Sequence, residues 1–335
     1  MLKSISVFLC GAVFLYSASA QNKTEYNVVK TFHIASGGGW DYIAVNNNKL
    51  YVSHGTQVNI LDEKTGDSLG VIPNTTGVHG IAFDNDLNKG YTSNGRLNNV
   101  TVFDLKTNQI LTQIPTGVNP DAIFYEPFTK TIITCNGRSN DLSVIDAATD
   151  KVVATISLGG KPEESISDEA GKLYVNLEDK NEIAVINIKN FTVENHWSIA
   201  PGDGPTGLKI DTKTKRLFAG CNKLLMVIDA GNGKIVDKLP IGDGCDGVAF
   251  DAKTNLIFTS NGEGNITVIK EKGANEFKVQ ETVTTKPGAR TITIDEKTHN
   301  LFLPAAEMEP ADPQNPRARR KMIPGTFQVL VVKKD

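Results

Sequence analysis

Six apolar runs in this chain end on Asp62, Asp104, Asp146, Asn187, Asp229 and Lys270, which lie 42, 42, 41, 42 and 41 residues apart. This period constrains the fold more tightly than any other feature. A unit repeated at a steady interval cannot bury its own apolar face, so the copies must stack on one another. Each copy has the same grammar. A first run ends in an acidic or amide residue, as in His79-Gly-Ile-Ala-Phe-Asp84 and Asp246-Gly-Val-Ala-Phe-Asp251. A turn rich in Asn, Asp, Lys and Gly leads to a second run, such as Leu50-Tyr-Val-Ser53 or Ile257-Phe-Thr-Ser260. A third run, such as Leu142-Ser-Val-Ile-Asp146, closes on a Thr-Asp or Thr-Gly turn, and a fourth follows at 151–158. The runs are short and rich in β-branched and aromatic residues, which is the composition of half-buried strands. First runs end at residues 46, 84, 126, 168, 211, 251 and 295, which makes seven copies. About four short strands in each copy of ~42 residues predict an all-β, seven-bladed β-propeller with four-stranded blades.

The two ends of the chain fit each other. Residues 27–34 read like the fourth run at 151–158, but no first three runs precede them. The C-terminal run at 327–333 is a third run with no fourth after it. The N-terminal strand is therefore expected to complete the last blade, which protects an edge that would otherwise stay open. Seven units of ~42 residues leave about 21 of residues 21–335 over, the size of one insertion. That insertion is 306–325, rich in Pro and carrying Arg317-Ala-Arg-Arg-Lys321. It connects a second to a third strand, and reads either as a solvated loop or as a basic lid over a negative funnel.

Tyr51-Val-Ser53, Tyr91-Thr-Ser-Asn94 and Tyr174-Val-Asn176 each precede a Val/Ile-rich strand ending near Asp and a Thr-Gly-like turn. In these residues the chain resembles the YVTN-repeat, YncE-like β-propeller family over the whole of 21–335. The resemblance implies the propeller fold. It implies little about function, because that family mixes exported proteins of unknown role. Trp40-Asp41 opens a first run, so it is not the dipeptide that closes a third strand in WD40 repeats.

Lys3, an apolar stretch at 5–16 and Ala18-Ser19-Ala20 have the order of a secretory signal peptide over residues 1–20. The apolar stretch is shorter than the ~20 residues of a membrane span. The mature protein is thus expected to be soluble and exported, periplasmic or secreted, and to act as a single copy. Lys and Arg number 35 against 38 Asp and Glu, a formal charge of −3 that argues against nucleic acid as a partner. Three cysteines follow the signal segment. Cys221 ends a second run and Cys245 precedes the next first run, on the same face of adjacent blades. They are expected either to form a disulfide or to stay two buried thiols, with Cys135 unpaired.

In a propeller the first strands line a central channel. Their starts and the ends of the second strands meet on one face, because the chain reverses between neighbours. A first ring would hold Asp41, His79, Asp121, Glu163 or Glu164, Thr206, Asp246 and Arg290. A second would hold His54, Asn94, Asn136, Glu178, Asn222, Asn261 and Glu307. Converging carboxylates, amides, histidines and one arginine can hold a polar ligand or coordinate a hard cation. Trp40 beside them can stack on a ligand or pack between blades. Asn94-Gly, Asn136-Gly and Asn261-Gly are also turn formers, since Asn bonds its own backbone and tolerates positive φ. The expected function is therefore an exported, non-enzymatic binding protein. Its ligand would be a small molecule, a cell-envelope component or a protein at the channel face. The alternative is a hydrolase resembling propeller lactonases, in which the funnel holds a divalent cation that polarises a lactone carbonyl and activates water. No organic cofactor is expected; a divalent cation is the one candidate.

Overall fold

The computed structural model describes residues 25–310 and 321–335. The expected signal segment and residues Arg317, Arg319 and Arg320 of the basic run lie outside the described residues. What is described is seven four-stranded antiparallel sheets, the predicted seven-bladed propeller. Blades 1 to 6 start at Trp40, Val78, Pro120, Pro162, Leu208 and Cys245, and each runs from the inner to the outer strand in chain order. No helix among the described residues is long and apolar enough to cross a membrane.

Blade 7 is assembled from both ends. Its strands run in the order Thr293–Ile294, Leu301–Ala305, Gln328–Lys334 and, outermost, Tyr26–His33. The pairing runs from Tyr26 opposite Lys334 to His33 opposite Gln328, and Ile34 N–H extends it to Phe327 O at 2.9 Å. Phe32 and Ile34 are carried into the seam between blades 7 and 1, where they pack with Leu50, Val52, Phe302, Phe327 and Val329. The closure expected from the sequence is therefore both a hydrogen-bonded edge and a piece of core.

The apolar residues form seven separate clusters, one at each blade–blade interface. Second and third strands sit between two neighbouring blades, so both their faces are covered and they read as nearly unbroken apolar runs. Fully buried Tyr51, Tyr91, Phe103, Phe218 and Phe258 each contribute about 2 kcal/mol by leaving water. Fourth strands alternate or stay exposed, as Lys151–Ser157 does, because only one side meets protein. Gly90 replaces the Leu of other second runs for a steric reason: the Phe103 ring fills the space its side chain would need. The Asp-x-x-Thr turns also have a local cause. Asp62 Oδ1 accepts from Lys64 N at 2.9 Å, Thr65 N at 2.8 Å and Thr65 Oγ1 at 3.1 Å, which ties the outer hairpin.

Two first strands are shorter than the sequence predicts. The regular first strand of blade 5 starts at Leu208, although Thr206 N–H still donates to Gly220 O at 2.9 Å, and blade 7 pairs only through Thr293–Ile294. In blade 7 the preceding residues are held elsewhere. Gly288 N donates to Gly262 O at 2.8 Å, Arg290 N donates to Gly288 O at 3.0 Å, and Thr291 Oγ1 donates to Asp41 O at 2.6 Å.

Candidate ligand site at the channel mouth

In five blades the register between first and second strands slips near the start of the first. The slips fall between Trp40 and Ile43, Val78 and Ile81, Pro120 and Ile123, Pro162 and Ser165, and Cys245 and Gly247. Inside them stand Asp41, His79, Asp121, Glu163, Glu164 and Asp246. A bulge releases a residue from the ladder and re-aims its side chain. Here it aims a charged side chain at the channel opening in blade after blade.

Hydroxyls of the second strands hold these bulges. Ser53 Oγ accepts from Asp41 N at 3.0 Å and donates to Tyr42 O at 2.9 Å. Ser93 Oγ accepts from Gly80 N at 2.8 Å and donates to Asp121 O in the next blade. Ser260 likewise donates to Arg290 O of the next blade. The Ser of the repeat motif is thus a bulge clamp and a blade-to-blade tie. Sequence reasoning missed this role, although the signal, a Ser recurring in the second run, was present.

The re-aimed residues form a chain of alternating charge. His79 Nδ1 lies 2.6 Å from Asp41 Oδ2 and 3.5 Å from Asp121 Oδ1. Asp41 Oδ1 lies 3.4 Å from Arg290 Nη2, and Arg290 Nη1 lies 3.1 Å from Asp246 Oδ2. The sequence Asp121, His79, Asp41, Arg290, Asp246 therefore crosses blades 3, 2, 1, 7 and 6. Blades 4 and 5 carry ion pairs of their own. Lys161 Nζ sits 2.6 Å from Glu163 Oε1 and also pairs with Glu178. Lys209 pairs with Glu164, whose Oε2 also accepts from Leu208 N at 2.7 Å. Lys161 and Lys209 were missed from the sequence. The second had a signal: it is a lysine inside a first run, where other copies carry small or apolar residues.

Burial and neighbouring charge shift these groups together. Burial pushes Asp246 up to about 6, although the adjacent Arg290 guanidinium works against it. Burial, reinforced by the Asp41 carboxylate, raises Asp121 as well. Glu163 also rises through burial, with the Asp121 charge adding to it. For His79 burial opposes the charged form, but the hydrogen bond to Asp41 and the charges of Asp121 and Asp41 outweigh it, and its pKa rises. Arg290 behaves in the same way between Asp246 and Asp41. Tyr42, below the ring, is raised well above its ordinary value by burial and then by the charges of Asp121 and Glu163.

Beneath the ring the channel narrows to a cavity of about 190 Å³ walled mainly by apolar residues such as Ile81, Phe124, Val248 and Ile292, with the Glu164–Lys209 pair also in its wall. Beside the ring, over blade 7, lies a larger pocket of about 640 Å³, within the ~300–1,000 Å³ range of small-molecule sites. Trp40, Arg290, Met308, Lys321 and Met322 line it, with Gly39, Gly244, Gly262 and Gly288. Trp40 packs its ring 5.5 Å from Phe327 and also walls this pocket.

The second ring is corrected. His54 is fully buried; its Nδ1 meets Ser36 Oγ at 2.6 Å, its Nε2 meets Gly38 O at 2.8 Å, and its ring stacks on Phe327 at 3.8 Å. It fastens the incoming chain to blade 1 and does not face a ligand. Asn94, Asn136 and Asn261 are also fully buried. Their amides donate outward to the third strand: Asn94 to Asn99 Oδ1 at 2.8 Å and Thr101 Oγ1 at 2.9 Å, Asn136 to Asp141 Oδ1 at 2.7 Å and Ser143 Oγ at 2.9 Å, and Asn261 to Asn265 Oδ1 at 2.7 Å and Thr267 Oγ1 at 3.1 Å. They are hairpin locks. Of the two arrangements open to Cys221 and Cys245, a disulfide or two buried thiols, the second is found. Both thiols are free and buried, as is Cys135, and each Sγ turns to a carbonyl of its own strand, Ala219 O at 3.7 Å and Gly247 O at 3.6 Å.

Fold and ring together define a seven-bladed β-propeller with a charged channel mouth. Among solved structures the chain is similar to a chain of Kuenenia stuttgartiensis hydrazine synthase, with a TM-score of 0.71 and 16% identity over 92% of this chain and 99% of that one. It is also similar to the WD40 repeats of RRP9, with a TM-score of 0.75 and 11% identity over 92% of this chain and 99% of that one. At such identities the likeness shows the fold alone. No family model and no curated protein matches the chain.

Proposed function

We propose that the protein is an exported, YncE-like binding propeller that holds a small polar ligand at its channel mouth. One observation carries this reading: charged side chains from six of the seven blades converge on one opening and stay partly exposed, His79 by 27% and Arg290 by 41% of their side chains, beside a pocket of ligand size. Structural ion pairs alone need no pocket beside them. Export rests on the residue pattern of 1–20, and the family on the repeat residues. The test is a thermal-shift screen of small polar compounds against the mature chain, 21–335. A hit should raise the melting temperature of the wild type and lose most of its shift in Asp246→Asn and His79→Gln. Shifts that survive both variants, or a library with no hit, would overturn the reading.

One feature favours a second reading, the metal-assisted hydrolase. Asp41, His79 and Asp121 each offer one ligand atom, all within 4.8 Å of one another. A cation there would have to displace the proton His79 shares with Asp41, so its affinity would rise with pH. Titration calorimetry with Zn²⁺ and Ca²⁺ at pH 6 and pH 8 tests this. Heat that grows with pH and vanishes in Asp121→Ala supports it; no heat at either pH rejects it.

A further inference from the structure

The pocket over blade 7 has a chemistry of its own, distinct from that of the ring. Its floor is open because it is made of glycine. A Cβ on Gly288 would meet only Trp40 Cζ2, at 3.8 Å, whereas one on Gly262 would lie 3.8 Å from Arg290 Cβ and crowd Gly244 O at 3.1 Å, so the two glycines bring backbone close beneath Trp40 and Arg290. Its apolar walls are built. Met308 pairs with Met322 in an antiparallel bridge, flanked by Glu309 N–H to Lys321 O at 2.8 Å and Ile323 N–H to Glu307 O at 2.9 Å. That short ladder places two methionines in the pocket lining with Trp40. Thioethers adapt to irregular ligands and favour aromatic neighbours.

Among the described residues, the charged groups that line this pocket are both cations, Arg290 and Lys321. The carboxylates nearest Arg290, Asp41 and Asp246, are each engaged by one of its nitrogens. Glu307, on the stem of the insertion, is paired with Lys286. Arg290 keeps N–H donors beyond those two contacts, because a guanidinium carries five. Among the described residues Lys321 has no ion partner.

We infer that this pocket binds an organic anion with a flat apolar body. The body lies between Trp40 and the Met308–Met322 bridge, and the anionic group meets Arg290 and Lys321. A planar guanidinium that is already oriented by two carboxylates suits a carboxylate better than a point charge would. The inference rests on the reading of the channel face as a ligand site and names the class of ligand.

The chain has two tryptophans, and Trp197 lies on the outer strand of blade 4, so Trp197→Phe leaves Trp40 as a single reporter in the pocket. Three nitroaromatic quenchers of one shape serve as probes: 4-nitrobenzoate, 4-nitrobenzamide and 4-nitrobenzylamine. The expected result is saturable quenching of Trp40 by the benzoate, with an affinity at least about tenfold above that of the amide and the amine. Lys321→Gln, a substitution of an exposed side chain, should weaken the benzoate several-fold and leave the amide unchanged. Equal or tighter binding of the amide or amine overturns the anion assignment but leaves a ligand site on this face. Absence of saturable quenching by all three overturns the pocket itself, and the compound screen on the ring variants then decides the broader reading separately. Benzoate affinity unchanged by Lys321→Gln and by Arg290→Lys also overturns the assignment.

Discussion

The starts of the first strands and the ends of the second lie on the same face of the propeller, one residue apart across a ladder, yet they do opposite work. Val78 pairs with Asn94, and His79 follows it; Trp40 pairs with His54, and Asp41 follows it. Asn94 and His54 are fully buried and bonded into their surroundings, whereas His79 and Asp41 leave the ladder and share their charges at the opening. The difference is made by the bulge. A residue in register must bond what its strand offers, while a residue in a bulge can turn to the axis.

The strongest way to break this contrast is to exchange the two histidines' roles by deletion. His54→Ala removes two hydrogen bonds and a stacked ring from a dry site, and should cost about 3 kcal/mol in denaturant unfolding. His79→Ala should cost under about 1 kcal/mol, as partly exposed charge pairs do. Comparable losses would erase the distinction. The next largest effect is expected at Asn136→Ala, which strands the half-buried Asp141 and the buried Ser143 and should cost about 2 kcal/mol, with ligand binding at the ring unaffected.

A smaller effect separates the rings by pH. Asp246 is held up at about 6 in the folded chain against its ordinary 3.8, so folding favours its protonated form. Stability from this group is full below pH 3.8 and is lost as pH rises through about 6. Asp246→Asn should therefore flatten the fall in melting temperature between pH 4 and pH 7; an unchanged slope would contradict the assignment. The two histidines should also titrate in opposite senses from 6.5. His79 is raised, so its contribution is full below 6.5 and lost as pH climbs through its folded value. Burial lowers His54, so its contribution is full above 6.5 and lost as pH falls through its folded value. Imidazole proton shifts in NMR titrations measure both directly. The smallest effect is none at all: a reductant should leave the melting temperature unchanged. Thiol labelling in denaturant should find Cys135, Cys221 and Cys245 all free.

Much of this molecule is written in local periodicity. Blade number, strand phase, the closing N-terminal strand and the Asp-capped turns follow from residue types at fixed spacing, because each depends on neighbours a few positions away or on the adjacent copy. The candidate site was half legible. Asp41, His79, Asp121, Glu163, Asp246 and Arg290 could be placed on one opening from phase alone. Phase could not separate them from His54, Asn94, Asn136 and Asn261, because both sets are polar, both sit at strand ends and both face the same way along the axis.

Sequence alone thus determined how many blades there are, how they close and which side carries the charges, since a repeat states its own geometry. Tertiary structure decided which polar residues stay free to meet a ligand. It also decided that Lys161 pairs with Glu163, that Lys209 pairs with Glu164 in the channel beneath, and that Trp40, Arg290 and the Met308–Met322 bridge share one pocket. Those outcomes turn on a one-residue bulge in five of the ladders and on contacts between residues hundreds of positions apart, such as Arg290 and Asp41, which no local pattern encodes.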